Sequence, residues 1–223
     1  DTDGDGDIDF VVTNVGLGSP YRASPKQPTV LFYGAFNPGE GHQLVEATFK
    51  EGRLVPLRGR AALSKVMPGI AERFPSFRSF AEASLLDLYP REQLRRAERF
   101  TANTLASGIL VNDAGRFRFV PLPRMAQIAP LFGAVASDFD GDGFPDLALV
   151  GNFYHAQRET PRRAGGMGWL LKGKGDGNFD VQWPDRSGIS VPGDARSLVI
   201  TDLNRDGAPD LVVGLNDQAL QAF

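Results

Sequence analysis

A short acidic frame is written three times in this chain: Asp1-Thr-Asp-Gly-Asp-Gly-Asp-Ile-Asp9, Asp138-Phe-Asp-Gly-Asp-Gly-Phe-Pro-Asp146 and Asp202-Leu-Asn-Arg-Asp-Gly-Ala-Pro-Asp210. Counted from the first aspartate, positions 1, 3, 5 and 9 carry a carboxylate or an amide, and position 6 is glycine in every copy (Gly6, Gly143, Gly207). In a tight loop this alternation turns positions 1, 3 and 5 towards one centre while the residues between them face away. Carboxylates gathered so closely repel one another, so the pattern requires a cation. Glycine at position 6 allows a sharp turn with a positive φ that a side chain would oppose. The ligands are all oxygens, with no Cys or His among them, which points to a hard ion. Six to eight oxygens at roughly 2.3–2.6 Å describe calcium (Ca2+) better than magnesium. The expected side-chain ligands are Asp1, Asp3, Asp5 and Asp9 in the first loop, and Asp138, Asp140, Asp142 and Asp146 in the second. In the third they are Asp202, Asn204, Asp206 and Asp210, and each loop adds the backbone carbonyl of its position 7, which is Asp7, Phe144 or Ala208.

The flanking residues decide what holds these loops. An EF-hand loop shares the early positions and the central glycine, but it joins two helices and closes with a bidentate glutamate at position 12. Here position 12 is Val12, Leu149 or Val213, and the last carboxylate stands at position 9. Directly after that carboxylate come Phe-Val-Val, Leu-Ala-Leu-Val or Leu-Val-Val, short runs that read as strands. The two later loops are also entered by apolar runs, Ala134-Val-Ala136 and Leu198-Val-Ile-Thr201. Each loop is therefore expected at the tip of a β-hairpin. The motif with its flanking strands resembles the FG-GAP or VCBS repeat of integrin α-subunit propellers and of many bacterial surface proteins. That resemblance implies an all-β fold, a partial β-propeller of about three to four blades with calcium-binding hairpin loops.

Read in order, the chain leaves the first loop through a strand over 9–14 and a polar connection over 19–28. Thr29 to Asn37 and Leu44 to Phe49 then look like the same hairpin with its ligands eroded. Ala35 stands at position 1, Asn37 survives at position 3, and Gly39 and Gln43 take positions 5 and 9, so no metal is expected there. From Arg60 the texture turns helical. A helix over 61–73 is interrupted at Pro68, Ser79-Phe-Ala-Glu82 opens a helix ending near Leu88, and Pro90 opens another running from Arg91 to about Leu105. Phe74, Phe77, Phe80 and Phe100 are expected to dock these helices. Strands return at Gly108–Asn112 and Arg116–Val120, and Gly115-Arg-Phe117 maps onto Gly177-Asn-Phe179 one repeat later. A repeat of this length with four short strands is a propeller blade.

The expected division is thus 1–59, partial blades with the first calcium loop and the degenerate hairpin; 60–107, a helical insertion; and 108–223, two blades with calcium loops. A strand is expected ahead of Asp1 and another beyond Phe223, so both flanks expose apolar surface. The expected partner is the remaining blades of the full-length chain. This order of parts is similar to bacterial VCBS-repeat proteins related to the cartilage acidic protein propellers. In that family a helical insertion separates calcium-bearing blades and a phrase like Leu149-Val-Gly-Asn-Phe-Tyr154 succeeds a complete loop. The resemblance implies the same ligands in all three loops, with Asn204 a conservative departure and the Ala35 hairpin an outright one.

Composition narrows the function classes. With 24 Lys and Arg against 27 Asp and Glu the net charge is -3, and much of the acid lies in the loops. The basic residues are scattered apart from Arg95-Arg96 and Arg162-Arg163, so no nucleic-acid partner is expected. Cysteine is absent, which excludes a disulfide framework and a thiol nucleophile. No apolar run reaches the length of about 18 residues that membrane insertion needs, and any leader would lie ahead of Asp1. Loops of this kind suit the millimolar calcium outside cells, so a secreted, periplasmic or cell-surface location is expected. No catalysis is expected either. The acids are committed to metal loops, His42 and His155 lie far apart, and no nucleophile elbow, zinc-helix or phosphate-cradling signature occurs. Gly165-Gly-Met-Gly168 precedes a strand and reads as a connection. Two functions stay open: a non-catalytic module that binds a protein or other ligand, and an accessory propeller of a carbohydrate-active or other hydrolytic enzyme, or a glycan-binding module. The second would use Trp169, Trp183 and Tyr154 as stacking platforms. The loops at Asp138 and Asp202 are expected to bind calcium more tightly than the one at Asp1.

Overall fold

A computed structural model describes residues 1–37, 39, 41–67, 69–156 and 161–223. Among the described residues the chain is mainly β, 36% strand against 16% helix, in four antiparallel sheets of which none closes on itself. Two compact units share the chain, Asp1–Ser19 with Ala106–Phe223, and Pro20–Leu105. The first loop leads into β1 (Phe10–Val12). The second unit comes next with β2 (Thr29–Gly34), β3 (Gln43–Lys50) and β4 (Arg53–Pro56), then α1 (Arg60–Val66), α2 (Gly69–Arg73), α3 (Phe77–Ala81), α4 (Leu85–Leu88) and α5 (Arg91–Arg96), and ends on β5 (Glu98–Ala102). The first unit resumes with β6 (Gly108–Asp113), β7 (Arg116–Pro121), β8 (Leu131–Ser137), β9 (Asp146–Gly151), β10 (Trp169–Gly173) and β11 (Phe179–Gln182). It closes with the short α6 (Pro184–Ser187), β12 (Ala195–Thr201), β13 (Asp210–Leu215) and β14 (Gln221–Ala222).

In the first unit β1 finds its partner far along the chain. Phe10 lies opposite Leu110 and Val12 opposite Gly108 on β6, giving the sheet β1-β6-β7. The whole second unit is spliced into the connection between two neighbouring strands. Next comes the four-stranded meander β8-β9-β10-β11, then β12-β13-β14. Ile109 and Val111 of the first sheet pack with Leu147, Leu149, Trp169, Leu171 and Phe179 of the meander. Ala148 and Val150, on the other face of β9, pack with Leu198, Leu211 and Val213 of the third sheet. The meander therefore lies between its two neighbours, and every residue of β9 is buried. A strand covered on both faces has no use for polar alternation, which is why Leu-Ala-Leu-Val is unbroken. Where β8 and β9 meet the backbones come very close: a Cβ added at Gly151 would lie 1.8 Å from the Pro130 carbonyl oxygen.

The second unit is a sheet in the order β4-β3-β2-β5 with helices on one face. Val30, Phe32, Val45 and Ala47 from the sheet share one buried cluster with Leu63, Ile70, Phe80, Leu85, Leu88 and Tyr89 from the helical stretch. The expected boundary at residue 59 is thus not where the chain divides. The hairpin β2–β3 needs the helices to cover its apolar face, so both belong to one unit that begins at Pro20 and ends at Leu105.

Three helical expectations also shift. Ser76, rather than Ser79, caps α3, and Ser79 answers as the third residue of the capping box. A second box, Ser84 with Asp87, interrupts the expected helix before α4. The helix from Arg91 stops at Arg96, because Glu98–Ala102 pairs with the edge of β2, Thr29 opposite Ala102. Phe80 and Phe74 dock as expected, whereas Phe77 and Phe100 are 70% and 52% exposed. The expected break at Pro68 lies outside the described residues, between α1 and α2.

Candidate metal centre

The three acidic loops share one backbone. Positions 4 and 6 are left-handed in each: Gly4 at φ 78 and Gly6 at 93, Gly141 at 78 and Gly143 at 91, Arg205 at 62 and Gly207 at 87. This bends the chain around the carboxylate of position 1, which accepts backbone N–H groups from the turn. Asp1 takes those of Gly4 (2.7 Å), Asp5 (3.1 Å) and Gly6 (3.0 Å). Asp138 takes those of Gly141 (2.8 Å), Asp142 (3.2 Å) and Gly143 (2.9 Å), and Asp202 those of Asp206 (3.1 Å) and Gly207 (3.0 Å). Position 5 then accepts the N–H of position 7, from Asp7 to Asp5 (2.8 Å), Phe144 to Asp142 (3.0 Å) and Ala208 to Asp206 (2.8 Å).

Position 9 does more than its spacing announces. Its Oδ2 accepts the N–H of position 2, closing the loop: Thr2 to Asp9 at 2.7 Å, Phe139 to Asp146 at 3.1 Å, Leu203 to Asp210 at 2.7 Å. The eroded loop of the second unit keeps this clamp, with Gln43 Oε1 accepting the N–H of Phe36 at 2.8 Å. Its clamp is neutral, an amide oxygen standing where the acidic loops have a carboxylate. The other oxygen of position 9 reaches across to the next strand, Asp9 Oδ1 to the N–H of Asn112 and Asp146 Oδ1 to that of Gly173, both at 2.8 Å. Burial pushes the Asp9 carboxyl up, but the hydrogen bonds from Thr2 and Asn112 outweigh it and leave the group below the ordinary carboxylate range.

Two of the three loops bring carboxylates together. Asp1, Asp3 and Asp9 place an oxygen each within 4.8 Å of one another, and Asp138, Asp140 and Asp146 do the same. In the first trio Asp3 Oδ1 is buried without a hydrogen-bond partner, an oxygen whose lone pairs are left for a cation. The donor set therefore fits a hard divalent ion in both loops. Position 5 stands outside the trios. In the third loop no such carboxylate trio forms among the described residues, because position 3 is Asn204. Its amide donates to Asp206 Oδ2 at 2.8 Å, and the Ala208 N–H and this amide together keep the Asp206 carboxyl low. Asp7, whose carbonyl is an expected ligand, uses its side chain elsewhere and accepts the N–H of Ala114 in the β6–β7 turn at 2.7 Å.

Lys172 on β10 escapes the sequence pattern. Its ammonium pairs with Asp140 and sits 2.9 Å from Asp142 Oδ2. Lys172 and the Phe144 N–H hold the Asp142 carboxyl below its usual range. No spacing rule links a residue 32 positions from Asp140 to the loop. Only the strand register does so, since the Leu171–Leu147 pair places Lys172 beside Asp146.

Among the described residues, the remaining polar and aromatic groups singled out by the sequence each have partners of their own. His42 stacks near Tyr33, 5.2 Å between ring centres, in the second unit, while His155 lies in the first. His155 Nδ1 sits 3.3 Å from Asp194, whose buried carboxylate also meets Arg196 at 2.9 Å and Asn216 at 3.3 Å. Trp169 is only 2% exposed and packs edge-on against Trp183, so it is a core residue and not a stacking platform. Tyr154 lies beneath the Arg162 guanidinium, 3.7 Å from its ring, and donates its hydroxyl to Pro192 O at 2.7 Å. Among the described residues no helix is long and apolar enough to cross a membrane. Comparison of the chain with protein families and with curated proteins finds no match.

Proposed function

We propose that this chain is part of a calcium-stabilised β-propeller that acts as a non-catalytic binding or scaffold module of a secreted, periplasmic or cell-surface protein. The observation that carries this reading is the repetition of one loop, with one hydrogen-bond plan, at the same corner of three sheets stacked face to face. A meander of four strands between two sheets of three is what one whole blade and two partial ones look like. The outer faces fit the same reading. Phe10 and Phe117, half exposed with ring centres 5.8 Å apart, lie on the face of the first sheet turned away from the meander. Val199 is 52% exposed on the corresponding face of the third sheet. Further blades of the full-length protein would cover both flanks, since a blade buries its faces only against neighbours.

Asp1, Asp3 and Asp9, and Asp138, Asp140 and Asp146, are the residues that would hold calcium, with position 5 and the carbonyl of position 7 completing each shell. Bound there, the ion neutralises acids that otherwise repel, so its affinity becomes folding stability. The loops have their own backbone donors orienting position 1 and a clamp at position 9. This favours a structural ion that fixes hairpin tips over one shared with a partner.

Calorimetric titration of calcium into chelated protein, with thermal unfolding followed in parallel, tests the reading. Saturable binding is expected, with a rise in the unfolding midpoint of roughly 5–10 °C at calcium about 100-fold above Kd. Absence of binding heat together with an unchanged midpoint at millimolar calcium overturns it.

A further inference from the structure

The middle loop already contains a cation. Lys172 Nζ lies between Asp140 and Asp142, which occupy positions 3 and 5, where the calcium reading puts ligands. A lysine ammonium is charged throughout the physiological pH range, so the pairing sets a full positive charge between the two carboxylates. Among the described residues the first loop has no side-chain cation at the matching position, and the positive charge acting on it is the chain's own amino terminus, which helps to keep the Asp9 carboxyl low. Asn112 donates to Asp9 as Gly173 donates to Asp146, so Val111 stands where Lys172 does, and Val111 is a buried core residue. In that loop Asp3 Oδ1 is left without a hydrogen-bond partner. The loop with a lysine has its position-3 carboxylate paired, and the loop with a valine has its own unsatisfied.

We propose that Lys172 is a built-in counter-ion of the Asp138–Asp146 loop, which lets this hairpin keep its shape without metal and weakens its affinity for calcium. The inference rests on the calcium reading above and makes one loop of the series less metal-dependent than its frame implies. Entry of calcium means exchange: the ammonium leaves Asp140 and Asp142 for water, no proton moves, and the like charges that remain near one another oppose binding. Lys172 is partly exposed, its side chain 40% accessible, so it has room to swing out.

The amides of Gly6, Gly143 and Gly207, each at position 6, report the three loops separately in a two-dimensional nitrogen–proton NMR titration of the full chain with calcium. Lys172→Met is expected to lower the calcium midpoint at Gly143 by about fivefold, a value discounted for water screening of a half-exposed pair. The midpoints at Gly6 and Gly207 should stay within about twofold, and Lys172→Arg, which keeps the charge, should leave Gly143 where it was. In chelator the Met variant should melt below wild type, and with saturating calcium the gap should close or reverse. An unchanged Gly143 midpoint in the Met variant, with all three loops still binding, overturns the role of Lys172 and leaves the calcium reading intact. Three glycine amides indifferent to millimolar calcium in both proteins remove the calcium reading and this inference with it.

Discussion

Asp146→Asn separates the structural duty of position 9 from any duty towards a metal. The side chain is 2% exposed, and its two oxygens serve two backbone donors, Phe139 N–H at 3.1 Å and Gly173 N–H at 2.8 Å. An asparagine has the same shape, but its single carbonyl can accept only one of them and its amide nitrogen then faces the other donor. One charge-assisted bond becomes a neutral one and another is lost with a donor left buried, at about 1–3 kcal/mol for each such event. Together these give about 3–4 kcal/mol, or roughly 10 °C in the midpoint of a domain of this size. Both tryptophans, Trp169 and Trp183, belong to the first unit, so their fluorescence during guanidinium unfolding tracks that unit alone. The measurement belongs in chelator, where no ion contributes. Asp142→Asn serves as control and should cost much less there than the change at 146, since its pairs are exposed to water. A variant at 146 within about 0.5 kcal/mol of wild type in chelator would show that the clamp bonds carry no weight and that the loop geometry is held by something else.

Packing and charge give two further outcomes. Gly151→Ala forces a methyl group into the Pro130 carbonyl, backbone against backbone, and should lower the stability of the first unit by about 3 kcal/mol; a loss under about 1 kcal/mol in the same fluorescence assay would contradict the close approach of β8 and β9. For Asp194, burial pushes the carboxyl up but bonds from Arg196 and Asn216 outweigh it, leaving it below its ordinary value of 3.8. A depressed carboxylate contributes stability above its unfolded pKa and loses it as pH falls through the folded one. The stability gap between wild type and Asp194→Asn should therefore be full at pH 6 and shrink below about pH 4. A gap constant down to pH 3 would mean that the pairing with Arg196 has no energetic effect.

The loops are legible because their demands are local: a glycine at position 6, acids at alternate positions and an apolar run after position 9 all lie within a dozen residues. The strands of the meander and the correspondence of Gly115-Arg-Phe117 with Gly177-Asn-Phe179 come from the same local repetition. The features that escape depend on partners distant in sequence. Glu98-Arg-Phe-Thr-Ala102 continues a helical composition, and only the open edge of β2 turns it into a strand. The hairpin from Thr29 groups with the first loop on sequence because it copies that loop's frame, but its apolar face is completed by Leu63, Ile70 and Leu85, which no repeat could reveal. Lys172 is an ordinary strand residue until the register sets it beside Asp140. The clamp at position 9 reads as a ligand alone, since a sequence names acids without saying which backbone donors they meet.

The splice of the second unit between β1 and β6 has a consequence for biosynthesis. Asp9 takes its cross-strand hydrogen bond from Asn112, 103 residues downstream. At roughly 5–20 residues per second the ribosome needs on the order of 5–20 s to supply that anchor, an interval in which the nascent first loop has its acids but not the β6 strand that holds Asp9. The intervening unit has its own core and can collapse during that wait, drawing its two ends together and shortening the search that β1 must make for β6. The splice thus ties completion of the Asp9 anchor to synthesis of the whole second unit.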